Sequence, residues 1–159
     1  MSSIVKLSEA ASIALHAMAL LASRADRHVT VKDLASRLSV SEAHLAKVMQ
    51  RLVKAGLVAS VRGPGGGFAL HADPAETTLL QIYEAIEGRL EVARCMFPDR
   101  REECSACILD DALAEANRIV YARLTRTHLA QLTTAFHPGA SLVALGRPNP
   151  ARPRTPPRA

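Results

Sequence analysis

The stretch Val61-Arg62-Gly63-Pro64-Gly65-Gly66-Gly67-Phe68 puts four glycines and one proline into eight residues, a density that neither a helix interior nor a packed strand accommodates. Glycine admits positive φ and lets backbone approach another surface closely, while Pro64 holds its own φ and turns Gly63 away from helix. The flanking runs, Leu57-Val58-Ala59-Ser60-Val61 before it and Phe68-Ala69-Leu70 after it, read as two short strands. The stretch is therefore expected to be the tip of a hairpin. A glycine-rich loop behind a strand can also cradle a phosphate, but the Gly-Lys-Ser/Thr ending is missing here and no helix opens directly after it. That leaves Arg62 as a cationic finger at the tip, and next to a helix-turn-helix such a hairpin is a wing.

The residues upstream supply that helix-turn-helix. Thr30 followed by Asp33 resembles a capping box, and Leu34, Ala35 and Leu38 give a short helix its inward face. Ser39-Val40 makes the turn. Ser41 then caps a second helix in which Leu45, Val48, Met49, Leu52 and Val53 recur at three-to-four spacing, with Gly56 just past its end. The outer side carries Glu42, Ala43, His44, Lys47, Gln50, Arg51 and Lys54, of which the residues in the first turns would face a DNA major groove. A charged outer face is also what any solvated helix shows. Between Lys32 and Arg62, however, six Lys/Arg stand against two Asp/Glu, so most of the excess positive charge of a +5 chain lies here.

A length of 159 residues allows one domain with a real core, or one small domain plus an oligomerisation arm. The basic balance favours an anionic partner. With aromatic residues at 3% and no Trp, base-stacking platforms for single strands are largely absent, so duplex DNA fits better. Ser8 caps a first helix running to about Ser23 and carrying Ile13, Leu15, Ala17, Met18, Leu20 and Leu21, too short to span a bilayer and expected to be largely buried. His16 interrupts its apolar run. The chain is read as cytoplasmic, with no membrane partner. After Asp73-Pro74, Thr78 with Gln81 starts a helix through Leu79, Ile82, Tyr83 and Ile86, closed by Gly88 and expected to pack under the wing.

All three cysteines fall in one polar segment. Eight residues separate Cys95 from Cys104 and two separate Cys104 from Cys107, which is not a secreted disulfide framework. Three thiolates could bind zinc with one further ligand, form a Cys104/Cys107 redox disulfide, or hold an iron-sulfur cluster, and spacing alone does not separate these. From Leu109 onward Leu113, Ala116, Val120 and Leu124 form an apolar row on a long helix, with Glu115, Arg118 and Arg123 outside it. Such a helix needs a partner surface, either within the chain or on a second copy. Residues 127–136 read as a shorter final helix. The tail from 137 to 159, rich in proline and arginine and without an acid, reads as disordered and basic.

The run Leu52-Val53-Lys54-Ala55-Gly56-Leu57-Val58-Ala59-Ser60-Val61-Arg62-Gly63-Pro64-Gly65-Gly66-Gly67-Phe68 resembles the signature of the IscR/NsrR family of winged-helix iron-sulfur transcription regulators. Helix order, wing and downstream cysteines agree with it over residues from about 4 to 136. The resemblance implies a mainly α fold with a small β-wing: a winged helix-turn-helix over 1–90, a cysteine segment over 91–108, and a homodimerisation helix with a terminal helix over 109–136. It implies base contacts from Ala43, His44 and Lys47, entry of Arg62-Gly63 into the minor groove, and Ser41 and Arg51 within the same DNA-facing set. Arginine suits narrow minor grooves because of their negative potential. Family members often carry Tyr at the place of His44, and an acid or amide at Ala46 or Lys47, so the operator sequence does not carry over.

The resemblance also implies an iron-sulfur cluster on Cys95, Cys104 and Cys107, four-iron ahead of two-iron. The middle cysteine stands nearer the third than is usual, which leaves the cluster type open. Three cysteines leave the cluster short of one protein donor. The family's local precedents point to Asp110, three residues after the last cysteine, or to the first helix, often of the opposite subunit. There the acidic position falls on Ser12 and the histidine position on His16. Neutral imidazole is a good iron donor and Asp110 suits a helix N-terminus, so His16 is preferred. The implied function is a repressor whose DNA affinity responds to nitric oxide, redox state or iron-sulfur supply. The rival is a zinc- or thiol-based redox protein without a cluster. No Gly-x-Ser-x-Gly, His-Glu-x-x-His or paired catalytic carboxylates occur, so no enzyme is expected.

Overall fold

The first four helices each begin where a hydroxyl can take up an orphaned backbone amide. In the computed structural model, which describes residues 7–24, 28–63, 65–90 and 112–133, the Ser8 hydroxyl accepts from the Ala11 amide at 3.0 Å and opens α1 (Glu9–Ala22). Thr30 accepts from Asp33 at 3.1 Å to open α2 (Val31–Leu38), and Ser41 accepts from His44 at 3.2 Å to open α3 (Glu42–Lys54). Between them Ser39 takes a left-handed conformation, φ 56°, and the Val40 amide returns to the Ala35 carbonyl at 3.1 Å. This turn sets α3 against α2. Helix α3 stops at Gly56, whose φ of 74° no β-carbon favours.

The core forms around α1. Nine of its residues are buried, and α2, α3, the later helices Leu79–Glu87 and Ala130–Thr133, and the second strand of the hairpin all pack on it. Four α3 side chains, Leu45, Val48, Met49 and Leu52, close the core from the DNA-binding-motif side, each essentially inaccessible to solvent.

The glycine stretch is a hairpin. Strand β1 (Val58–Val61) pairs antiparallel with β2 (Gly67–Leu70), Val58 opposite Leu70 and Val61 opposite Gly67. At its tip the Gly66 amide donates to the Gly63 carbonyl at 2.8 Å, and Gly63 and Gly65 have φ of 115° and 80°. One partner was not foreseen. Val29, just ahead of α2, exchanges two hydrogen bonds with Phe68, at 2.8 and 2.9 Å, so β2 lies between β1 and Val29. A β-carbon on Gly67 would stand 2.4 Å from the Val29 carbonyl oxygen. Gly67 is thus required by close approach within the hairpin's base.

Helix α4 (Leu79–Glu87) opens with the expected capping box, Thr78 and Gln81 exchanging bonds at 3.3 and 2.8 Å. It does not underlie the wing. Its buried Ile82 and Ile86 join the core beside α1, and it also meets α3 and α5. The inner side chains of the wing, Val58 and Phe68, are instead covered where β1 meets α3 and β2 meets α1.

Helix α5 (Ala112–Arg126) is followed by α6 (Ala130–Thr133). The final helix starts at Ala130, later than the expected Thr127, because residues 127–129 are used as a strand-like tie. The Leu79 amide donates to the Thr127 carbonyl at 2.9 Å and the Leu129 amide to the Thr77 carbonyl at 2.8 Å. Leu129 is carried by this tie into the core and is fully buried. Among the described residues of the expected α5 row, only Leu124 is buried. Leu113, Ala116 and Val120 are half-covered, Ala114 is buried in addition, and Ile119 is 64% exposed. Leu109, Asp110, the cysteine segment 91–108 and the tail 137–159 lie outside the described residues.

Candidate nucleic-acid interface

The outer face of α3 is polar and accessible along its length. Ala43, Lys47, Gln50, Arg51 and Lys54 are exposed and His44 is half-buried. His44, Lys47, Arg51 and Lys54 follow one another at intervals of three, four and three, so they lie on one side of the helix. With Ala10, Val48 and Gln50 they line an open groove of about 550 Å³ between α3 and the start of α1. Gln50 and Lys54, expected on this outer side from the helical spacing, are exposed there.

The polar groups here have defined partners. Ser41 is engaged as the cap of α3, and the amide it receives is that of His44. The His44 Nδ1 stands 3.9 Å from a carboxylate oxygen of Glu9, an acidic residue at the start of α1 that marks one border of the basic face. Arg51 Nη1 donates to the Ile86 carbonyl at 2.9 Å, so this side chain is tied to α4 as well as placed on the outer face. Arg62 and Gly63 sit exposed at the outer end of the hairpin, immediately after β1. The structure brings Ser41, Ala43, His44, Lys47 and Arg51 together on one helix, and sets Arg62 and Gly63 on a separate projection.

His16 lies on α1, half-buried, with Nδ1 2.7 Å from the Ser12 carbonyl oxygen. A carbonyl can only accept, so Nδ1 carries a proton and in the neutral ring Nε2 is the lone-pair nitrogen. That is the tautomer in which a histidine ligates metal, its other nitrogen held by a backbone carbonyl. His16, Ser12 and Glu9 line an open groove of about 470 Å³ together with Leu7, Ile13, Leu38 and Val40. Thiolate and neutral imidazole are both iron donors, so this residue set fits an iron-sulfur cluster chemically. Cys95, Cys104, Cys107 and Asp110 fall outside the described residues. Among the described residues no helix is long and apolar enough to cross a membrane.

Comparison with known proteins agrees with this geometry. BadM of Rhodopseudomonas palustris, named as an HTH-type transcriptional regulator, is 41% identical over 83 residues, 52% of this chain and 53% of that protein. The HTH-type transcriptional regulator IscR of Serratia proteamaculans is 30% identical over 104 residues, 65% of this chain and 63% of that protein. The chain thus spans between half and two thirds of the length of these curated relatives. Among solved structures, CymR of B. subtilis, titled the global cysteine regulator, superposes with a TM-score of 0.66 at 27% identity, covering 84% of this chain and 100% of that one. IscR of T. potens superposes with a TM-score of 0.62 at 27% identity, covering 84% of this chain and 90% of that one. Residues 7–135 match the Rrf2 family, described as an iron-dependent transcriptional regulator, and the chain, a winged helix-turn-helix with its basic face on α3, belongs to that family.

Proposed function

We propose that the chain is a homodimeric, sequence-specific regulator of transcription, acting as a repressor, that binds duplex DNA through α3 and the β1–β2 wing. The observation that carries this reading is an exposed basic helix face, including His44, Lys47 and Lys54, followed by a glycine-rich hairpin whose first strand packs on that helix and whose tip carries an exposed arginine. A helix of this diameter enters a major groove, and base-facing side chains in its first turns, Ala43, His44 and Lys47, read base edges there. Arg62 and Gly63 would enter the adjacent minor groove, and Ser41 and Arg51 complete the DNA-facing set. Its relatives are named as transcriptional regulators, not as enzymes. Substituting Arg62→Ala should weaken binding to a duplex selected from a random library by about 1 to 3 kcal/mol, without lowering the melting temperature. Unchanged affinity would remove the wing from recognition.

The sensor in this reading is an iron-sulfur cluster held by Cys95, Cys104 and Cys107, with His16 as the fourth donor and a four-iron cluster preferred. Support comes from the family's description, from its IscR relatives, and from the backbone carbonyl that holds Nδ1 of His16. When bound, such a cluster supplies a centre that reacts with oxidants and nitric oxide or reports cluster supply. What this chain's own residues do is hold it: Ser12 orients the His16 ring, and the thiolates provide charge. Absorption spectra with iron and sulfide assays on anaerobically purified protein test the reading, and each single Cys→Ser substitution should bleach the visible bands. Full iron and sulfide in all three variants would end it. Zinc in place of iron, or a Cys104/Cys107 disulfide alone, would establish the thiol-based alternative.

A further inference from the structure

Arg51 stands in the basic face of α3, yet its best-defined partner points inward. Its Nη1 donates at 2.9 Å to the carbonyl of Ile86, in the last turn of α4. Carbonyls there have no partner within the helix and carry the negative end of its dipole, so a guanidinium is well matched to that place. The same helix end holds α1. The Ser8 hydroxyl donates to a Glu87 carboxylate oxygen at 2.6 Å while accepting the Ala11 amide. Tyr83, one turn earlier, has its phenol raised above the ordinary range by burial and then by the charge of Glu87. The chain just past α4 is fastened too, the Leu90 amide donating to a Glu84 carboxylate oxygen at 3.0 Å. From α1, Glu9 reaches His44 at the opposite end of α3. The C-terminal end of α4 therefore gathers α1, α3 and Leu90, the residue that precedes the cysteine segment in the chain.

We infer that Arg51 is a positioning residue: it fastens the DNA-reading helix to the end of α4, so that the placement of α3 is coupled to the cysteine segment leaving that end. This rests on the DNA-binding reading above and adds how its site would be regulated. A guanidinium used as a phosphate contact and one used as a tie behave differently in salt. Losing a phosphate contact lowers the slope of log K against log salt concentration by about 0.9, whereas losing a tie leaves the slope alone.

The experiment compares wild type with Arg51→Gln in the full chain, in two measurements. The first is amide hydrogen exchange without DNA and in metal-free protein. The tie predicts at least tenfold faster exchange for Ala55, which donates to the Arg51 carbonyl, and for Gly88, which donates to that of Glu84. The second is binding to a duplex selected by the wild type from a random library, over a range of salt concentrations. The tie predicts weaker binding with an unchanged salt slope, and a severalfold contraction of the affinity ratio between cluster-reconstituted and metal-free protein. Unchanged exchange at Ala55 and Gly88, or a slope lowered by about 0.9, overturns the inference. Should wild-type protein take up no cluster, its absorption spectrum shows that separately, and exchange and salt slope still decide the role of Arg51.

Discussion

Helices α3 and α5 are similar in length, 13 and 15 residues, and each has a polar side and an apolar one, yet the chain treats them differently. In α3 four residues of the apolar stripe, Leu45, Val48, Met49 and Leu52, are buried against the chain's own core and Val53 is half-covered. In α5 only Ala114 and Leu124 are buried, Leu113, Ala116 and Val120 are half-covered, and Ile119 is 64% exposed. A helix that has satisfied its apolar face internally can offer its polar face to DNA without reorganising. One that has not is stable only as far as its neighbours hold it, and its uncovered side suits a second copy of the chain. The proposed dimer through α5 grows out of this contrast.

The contrast can be broken by substitution. Leu52→Ala removes a fully buried side chain from the α3 stripe and should cost about 2 to 5 kcal/mol in urea unfolding, the largest effect expected; a loss below about 1 kcal/mol would show that α3 is not held by its core face. Gly67→Ala should come next. Its methyl would meet the Val29 carbonyl, a backbone atom that cannot swing aside, and a loss of about 1 to 3 kcal/mol is expected, read as a lowered midpoint in the same denaturation. Retained stability would mean the base of the wing can open without consequence. Ile119→Arg is the sharpest of the three. It should leave monomer unfolding within about 0.5 kcal/mol of wild type, while weakening self-association about tenfold, or about 1.4 kcal/mol, in sedimentation equilibrium. A variant that associates as tightly as wild type would move the dimer interface away from this side of α5.

Much of the fold was legible because local chemistry decided it. Ser8, Thr30, Ser41 and Thr78 each cap the helix they were expected to cap, since a side-chain oxygen next to an amphipathic run has few better partners than the first amides of that helix. Gly56 and Gly88 end their helices for an equally local reason, positive φ. The outer face of α3 was readable from spacing alone, Gln50 and Lys54 included. Three things were not legible. Val29 bonds to Phe68 across nearly forty residues of chain with nothing in its neighbourhood to announce it. Thr127 to Leu129 reads as helical and is instead recruited by Thr77 and Leu79. Arg51, indistinguishable in sequence from Lys47 or Lys54, turned out to have an inward partner.

What the sequence determined by itself, then, was where helices start and stop, which side of each is apolar, and that a glycine hairpin follows a basic helix, because capping, periodicity and positive φ involve residues within a turn or two of each other. What only the tertiary structure decided was which surfaces meet: that α4 lies against α1, α3 and α5 and leaves the wing to α1 and α3, that Gly67 passes under Val29, and that an arginine of α3 closes the end of α4. Those outcomes depend on shape complementarity among elements far apart in the chain, and hydrophobic burial, being non-directional, favours contact without specifying the partner.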